Sequence, residues 1–196
     1  MPKRQTNKSF KHNKIVPFYL QRNGTLWGEG TYNMYTGEDD PRKLGQIHSW
    51  DGAKRTHFTG QCGEIRGSAG GFYPPRTNGP TVELFSHDAC RALTYYSTGQ
   101  IQSINEIPGN VYELPTSTFA NGTVYPPNQC FDNYLPSGLH NATYCKGEKT
   151  PLFISFPHFY GADPYYIQQF DSRTNFHPNK MDHGSRMVMF PVSLVF

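Results

Sequence analysis

Four cysteines, at positions 62, 90, 130 and 145, constrain this 196-residue chain more than any other feature. They lie 28, 40 and 15 residues apart, so no Cys-x-x-Cys pair exists to supply the close thiolates of a recognisable zinc site. An even count at wide spacing reads instead as a disulfide framework, and four thiols leave three connectivities open. Disulfides persist in oxidising compartments. The sequons point the same way. Asn23-Gly24-Thr25, Asn121-Gly122-Thr123 and Asn141-Ala142-Thr143 sit in turn-rich contexts where a glycan stays solvated, and Asn7-Lys8-Ser9 lies in a basic N-terminal stretch. The expectation is an extracellular or lumenal body glycosylated at Asn23, Asn121 and Asn141.

Local sequence favours short strands. With 19 Gly, 16 Pro, 15% aromatic and only 17% charged residues, the chain is punctuated too often for long helices, and its aromatics suit pleated surfaces. Strand-like runs fall at Ile15–Leu20, Thr31–Thr36, Gln46–Trp50, Thr81–Phe85, Val111–Leu114 and Leu152–Phe156. Two helices have start signals: one capped by Ser86 and running to Tyr96, one capped by Asp163 with Pro164 in its first turn. The predicted class is α+β, mainly antiparallel β, part of a β-barrel-like body with a few short helices. Residues 1–13 read as a disordered basic tail, and 14–196 as a single unit.

The formal charge of +3 is concentrated at one end. The first fourteen residues hold five of the 18 basic residues and no acid, which leaves 13 bases against 15 acids in the remainder, a net −2. A slightly acidic body offers no clustered basic face for nucleic acid. No stretch approaches the roughly 20 apolar residues of a membrane helix; the longest apolar stretch, Val188–Phe196, contains Pro191. No signal-peptide core follows the charged N-terminus. Catalytic patterns also fail. His177 and His183 are not at helical i,i+4 spacing, Arg66 stands where a Gly-x-Ser-x-Gly elbow would need glycine, and Gly67–Gly71 lacks the Lys-Ser/Thr of a phosphate loop. No catalytic residue, metal site or cofactor is expected. Cys90 with a distant histidine would form a nucleophile pair only if its thiol were free, the premise of an alternative reading as a small secreted hydrolase.

One block carries a family resemblance. Cys145 precedes the run Leu152–Phe156, followed by Pro157-His158-Phe159, Ala162-Asp163, His177-Pro178-Asn179 and His183. Upstream, Cys62 leads to Gly67 and Phe72-Tyr73-Pro74-Pro75, then to Ser86-His87-Asp88-Ala89-Cys90-Arg91 and Cys130-Phe131. In order and spacing these resemble the CD36 family of class B scavenger receptors over residues 15–193. There are departures: Asp132 replaces a further family cysteine, Arg66-Gly67-Ser68 replaces a sequon, and Val188 and Leu194 stand where an acid and a glycine are usual.

The resemblance implies two crossed bridges, Cys62–Cys130 and Cys90–Cys145. Each would stabilise by about 4 kcal/mol in the chain-entropy model. It also implies part of a membrane-anchored ectodomain, truncated at both ends, whose spans lie in segments missing from this chain. Such a body sits at the plasma or lysosomal membrane, binds lipid, fatty-acid or lipoprotein ligands, and passes apolar cargo through an internal tunnel. Its lipid-lining residues are not legible. A truncated product without independent function is the remaining alternative.

Overall fold

A computed structural model describes residues 30–75, 79–131, 134–145, 151–170 and 177–190. Its centre is a curled antiparallel sheet of four strands: β3 (Thr81–Ser86), β4 (Arg91–Ile104), β5 (Ile107–Glu113) and β8 (Arg186–Met189), hydrogen-bonded in that order. Two ribbons flank it, β1 (Tyr32–Met34) with β2 (Ile47–Trp50), and β6 (His140–Asn141) with β7 (Phe153–Ile154). Single 3-10 turns and two short helices, α1 (Pro164–Gln168) and α2 (Lys180–His183), fill the connections. The class is the α+β, mainly antiparallel one predicted.

Alternation along the central strands sorts residues between two faces. Leu84 and Val82 of β3 stand opposite Leu93 and Tyr95 of β4, and Tyr112 of β5 opposite Met187 of β8. These side chains share a core with Leu114, Phe119 and Phe156, in which Tyr112 is fully buried and its hydroxyl donates to Gly79 O at 2.9 Å. On the other face Phe85 packs with Ile47 and Ile65 beneath the β1–β2 ribbon. A third cluster forms around Cys90, Ala142 and Cys145.

The segment Gly67-Ser68 joins ribbon to sheet. Ile47 N donates to Gly67 O at 2.8 Å, Ser68 N to Glu83 O at 3.0 Å, and Phe85 N to Ser68 O at 2.8 Å. Gly67 has φ +85°, and a Cβ there would lie 2.6 Å from Glu83 O. Only glycine meets both demands.

The structure corrects the helix expected after Ser86. Its local signal is used for one turn only: Ser86 Oγ accepts from Ala89 N at 3.2 Å, Cys90 turns the chain at φ 48°, and Arg91 enters β4. From there six residue pairs, Thr81↔Tyr96 to Ser86↔Arg91, supply partners that a lone helix would lack. Alternating Leu93 and Tyr95 suit the pleat. Tertiary pairing therefore overrides the cap.

The strand expected over Val111–Leu114 is longer, because Asn105 and Glu106 (φ 49° and 67°) close a tight hairpin that extends pairing to Ile104↔Ile107. The strand expected over Leu152–Phe156 is only the two residues of β7, since its partner β6 is equally short. Pro157-His158-Phe159 forms a 3-10 turn with His158 exposed and stacked on His183 at 4.2 Å. The Asp163 cap stands as predicted, accepting from Tyr165 N at 2.9 Å. Ile15–Leu20 and the basic tail 1–13 lie outside the described residues.

Candidate functional site

Beside β4 the 3-10 turns Gly60–Gly63, Thr116–Phe119 and Pro126–Phe131 come together around an open cleft of about 580 Å³. Its wall is held from within by Asn128, whose side-chain NH2 reaches three carbonyls, Ser117 O (2.9 Å), Thr118 O (3.2 Å) and Ala120 O (2.6 Å). Cys62 and Cys130 are joined across it, with Cα atoms 5.7 Å apart. Gln61 adds a bond from its Nε2 to Pro127 O at 3.0 Å. The lining also includes Arg91, at the start of β4, and Ala92, Thr94 and Tyr96, which alternate away from the core residues Leu93 and Tyr95.

Arg91 is the unusual member. Only 6% exposed, it lays its guanidinium on the Phe131 ring, Cζ 3.8 Å from the centroid, with Phe119 at 5.8 Å. Its Nε is buried without a partner, and none of the described residues accepts a hydrogen bond from, or forms an ion pair with, the guanidinium. Burial, reinforced by the nearby Arg66, lowers its pKa to about 9, so it remains cationic at neutral pH. A desolvated cation–π contact is worth about 2 kcal/mol, whereas burying an ion costs several kcal/mol. The contact does not offset the burial. Arg66, at the rim, is already engaged, 2.8 Å from Glu83 and 3.6 Å from Glu64.

Behind Arg91 lies His140, 2% exposed, its Nε2 donating to Ala89 O at 2.8 Å and its ring packed against Phe119 and Phe131. Burial, then the Arg91 charge, pushes its pKa down to about 3, so the ring is neutral. A second cleft of about 610 Å³ shares Tyr96 and Pro115 with the first. Its one acid, Glu113, is shared by both of its cations, Lys180 at 2.6 Å and Arg186 at 3.8 Å.

The second disulfide, Cys90–Cys145, spans 5.5 Å between Cα atoms inside the cluster with Ala142. All four cysteines are therefore bonded, and Cys90 offers no nucleophile. Asn121 leads into a turn and Asn141 ends β6, Asn121 Oδ1 accepting from Val124 N and Asn141 Oδ1 from Thr143 N, each at 3.0 Å. Asn23 lies outside the described residues. Among the described residues no cluster of His, Cys, Asp or Glu is fit to hold a metal, and His183 Nδ1 is engaged by Asn179 N at 3.0 Å. Sequence reasoning placed Arg91 in a motif but gave it no role. No local pattern signals that its neighbours would be two phenylalanines and a cleft.

The model of the CD36 family matches residues 2–193 of the chain. The chain belongs to the CD36 family. It is 34% identical to Protein peste of Drosophila melanogaster over 187 residues, covering 91% of the chain and 32% of that protein. Scavenger receptor class B member 1 of Sus scrofa is 33% identical over 84% of the chain and 32% of its own length. Lysosome membrane protein 2 of Homo sapiens is 30% identical, with 91% and 37% covered. This CD36-family chain thus spans about a third of the length of these curated relatives. It is of the scavenger-receptor type. Among its described residues no helix is long and apolar enough to cross a membrane.

Proposed function

We propose that this CD36-family chain is part of a receptor ectodomain, not an enzyme, exposed to the extracellular or lumenal side of a plasma or lysosomal membrane. There it captures lipids, fatty acids or lipoproteins and hands apolar cargo to an internal tunnel. Family membership, with a class B scavenger receptor among the relatives, carries the reading. An apolar margin on the sheet supports it. At the tip of the β4–β5 hairpin Ile101, Ile104 and Ile107 are 70%, 44% and 57% exposed, in a chain whose mean hydropathy is −0.66. Ile104 and Ile107 face each other across the strands. Apolar cargo gains about 0.8 kcal/mol per buried CH2, so a fatty-acyl chain has ample driving force against such surface.

The test uses the chain secreted with both bridges formed. Organic extraction and mass spectrometry should recover acyl lipids, and a fluorescent fatty acid should bind saturably. Changing Ile101 and Ile107 together to Asp should weaken that binding on the order of 10-fold, the equivalent of about 1.4 kcal/mol. Recovery of no lipid and no saturable binding would exclude the lipid reading. The same preparation should shift in mass on enzymatic deglycosylation, with Asn23, Asn121 and Asn141 as the carriers; an unshifted mass would remove the glycans from the proposal.

A further inference from the structure

We infer that the cleft beside β4 is an anion seat in which Arg91 receives one oxyanion group, a carboxylate or a phosphate, from the open side. Three observations converge. Arg91 is a nine-tenths buried cation with no acceptor among the described residues, and it lines the cleft. The rings of Phe131 and Phe119, with centroids 3.8 and 5.8 Å from its Cζ, confine the guanidinium. Guanidinium recognises oxyanions through paired N–H donors, and confining it beforehand removes much of the ordering cost.

The rest of the cleft suits one such group. Five hydroxyl-bearing residues, Thr94, Tyr96, Ser117, Thr118 and Tyr125, are among its lining. Glu64 also lines it, but is drawn to Arg66 at 3.6 Å, and Arg66 is in turn held by Glu83 at 2.8 Å. Among the described residues, Arg91 is therefore the one cation of this lining with no carboxylate partner. A neutral His140 behind it adds no second cation. The second cleft lacks this property, because its lysine and arginine both face Glu113. The anion seat does not rest on the lipid reading, although a fatty acid or a phospholipid would present the same chemistry as a free anion.

Binding is measured on the secreted chain by thermal shift and calorimetry with inorganic phosphate, acetate and decanoate, against chloride at equal ionic strength. Phosphate and acetate should bind saturably, and R91M should weaken both at least 10-fold. R91K, which keeps charge but not the planar fork, should fall between. Should R91M fail to fold, the wild-type comparison with chloride still decides. Equal melting curves in phosphate, acetate and chloride would overturn the inference, as would unchanged affinity in R91K and R91M. Decanoate binding no tighter than acetate would leave the seat intact and remove acyl cargo from this cleft. A neutral monoacylglycerol binding as tightly as decanoate would keep the cargo and remove the seat.

Discussion

Changing Cys90 and Cys145 together to serine should unfold much of the molecule at physiological temperature. The bond closes a separation of 55 residues and lies in a cluster that also gathers Phe58, Leu152 and Ile154. Loop-closure entropy alone assigns it about 4 kcal/mol, set against a total of roughly 5–15 kcal/mol for a folded domain. Two further consequences add to that. Cys90 ends the turn from which β4 starts, so releasing it frees the entry to the central sheet. Serine hydroxyls would also replace sulfur in an apolar site. Urea titration should show the midpoint collapse, and thiol titration of the wild type under denaturing, non-reducing conditions should find none. A double variant with an unchanged midpoint would contradict this account. The Cys62–Cys130 bond closes a similar separation, 68 residues, but borders the cleft. Its removal should therefore cost similar stability and loosen anion binding in whatever fraction stays folded.

Acidification should destabilise the fold through His140. In the unfolded chain its pKa is near 6.5, and in the fold burial and Arg91 hold it to about 3. The folded state thus favours the neutral ring. Its contribution is fully present above pH 6.5, declines as the pH falls below that value, and is exhausted near pH 3. At pH 5 the loss from this group is about 2 kcal/mol. His57, partly buried with its pKa also lowered by burial, adds in the same direction. Denaturant midpoints measured at pH 7.5 and pH 5 should differ accordingly, and H140Q should flatten the dependence while its amide keeps a donor for Ala89 O. R91M should flatten it in part by removing the facing charge. A wild type equally stable at both values would refute the buried-histidine argument.

The two effects share a cause, since Arg91 and His140 are packed around the same aromatic pair. A chain selected for stability alone would not bury a guanidinium without an acceptor, and R91M should be at least as stable as the wild type in the absence of anions. Such a local violation of packing rules is typical of sites kept for binding.

Particular residues show what could be read without coordinates. The Asp163-Pro164 helix start was legible because cap and proline act on adjacent residues, and α1 begins there. The class was legible because Gly/Pro punctuation limits element length whatever the packing. Gly67 stood out within a motif, but its reason did not: the approach of Glu83 O, sixteen residues on, leaves no trace in local sequence. The helix expected after Ser86 failed on the same ground, since a cap is local while the pairing of β3 with β4 is not. The β4–β5 hairpin was missed because Asn105-Glu106 lacks the glycine that usually marks a tight turn.

By itself, then, the sequence determined the family, a disulfide framework of four widely spaced cysteines, and a build of short strands and turns. These follow from composition, motif order and spacing, which are properties of the chain. Only the tertiary structure decided which faces of β4 are core and which are cleft, and that Arg91 lies buried on Phe131 without an acceptor while His140 stays neutral behind it. Those are contests between desolvation and contact. Their outcome depends on which distant groups fold into reach, and residues 91, 119, 131 and 140 become neighbours only when the sheet curls.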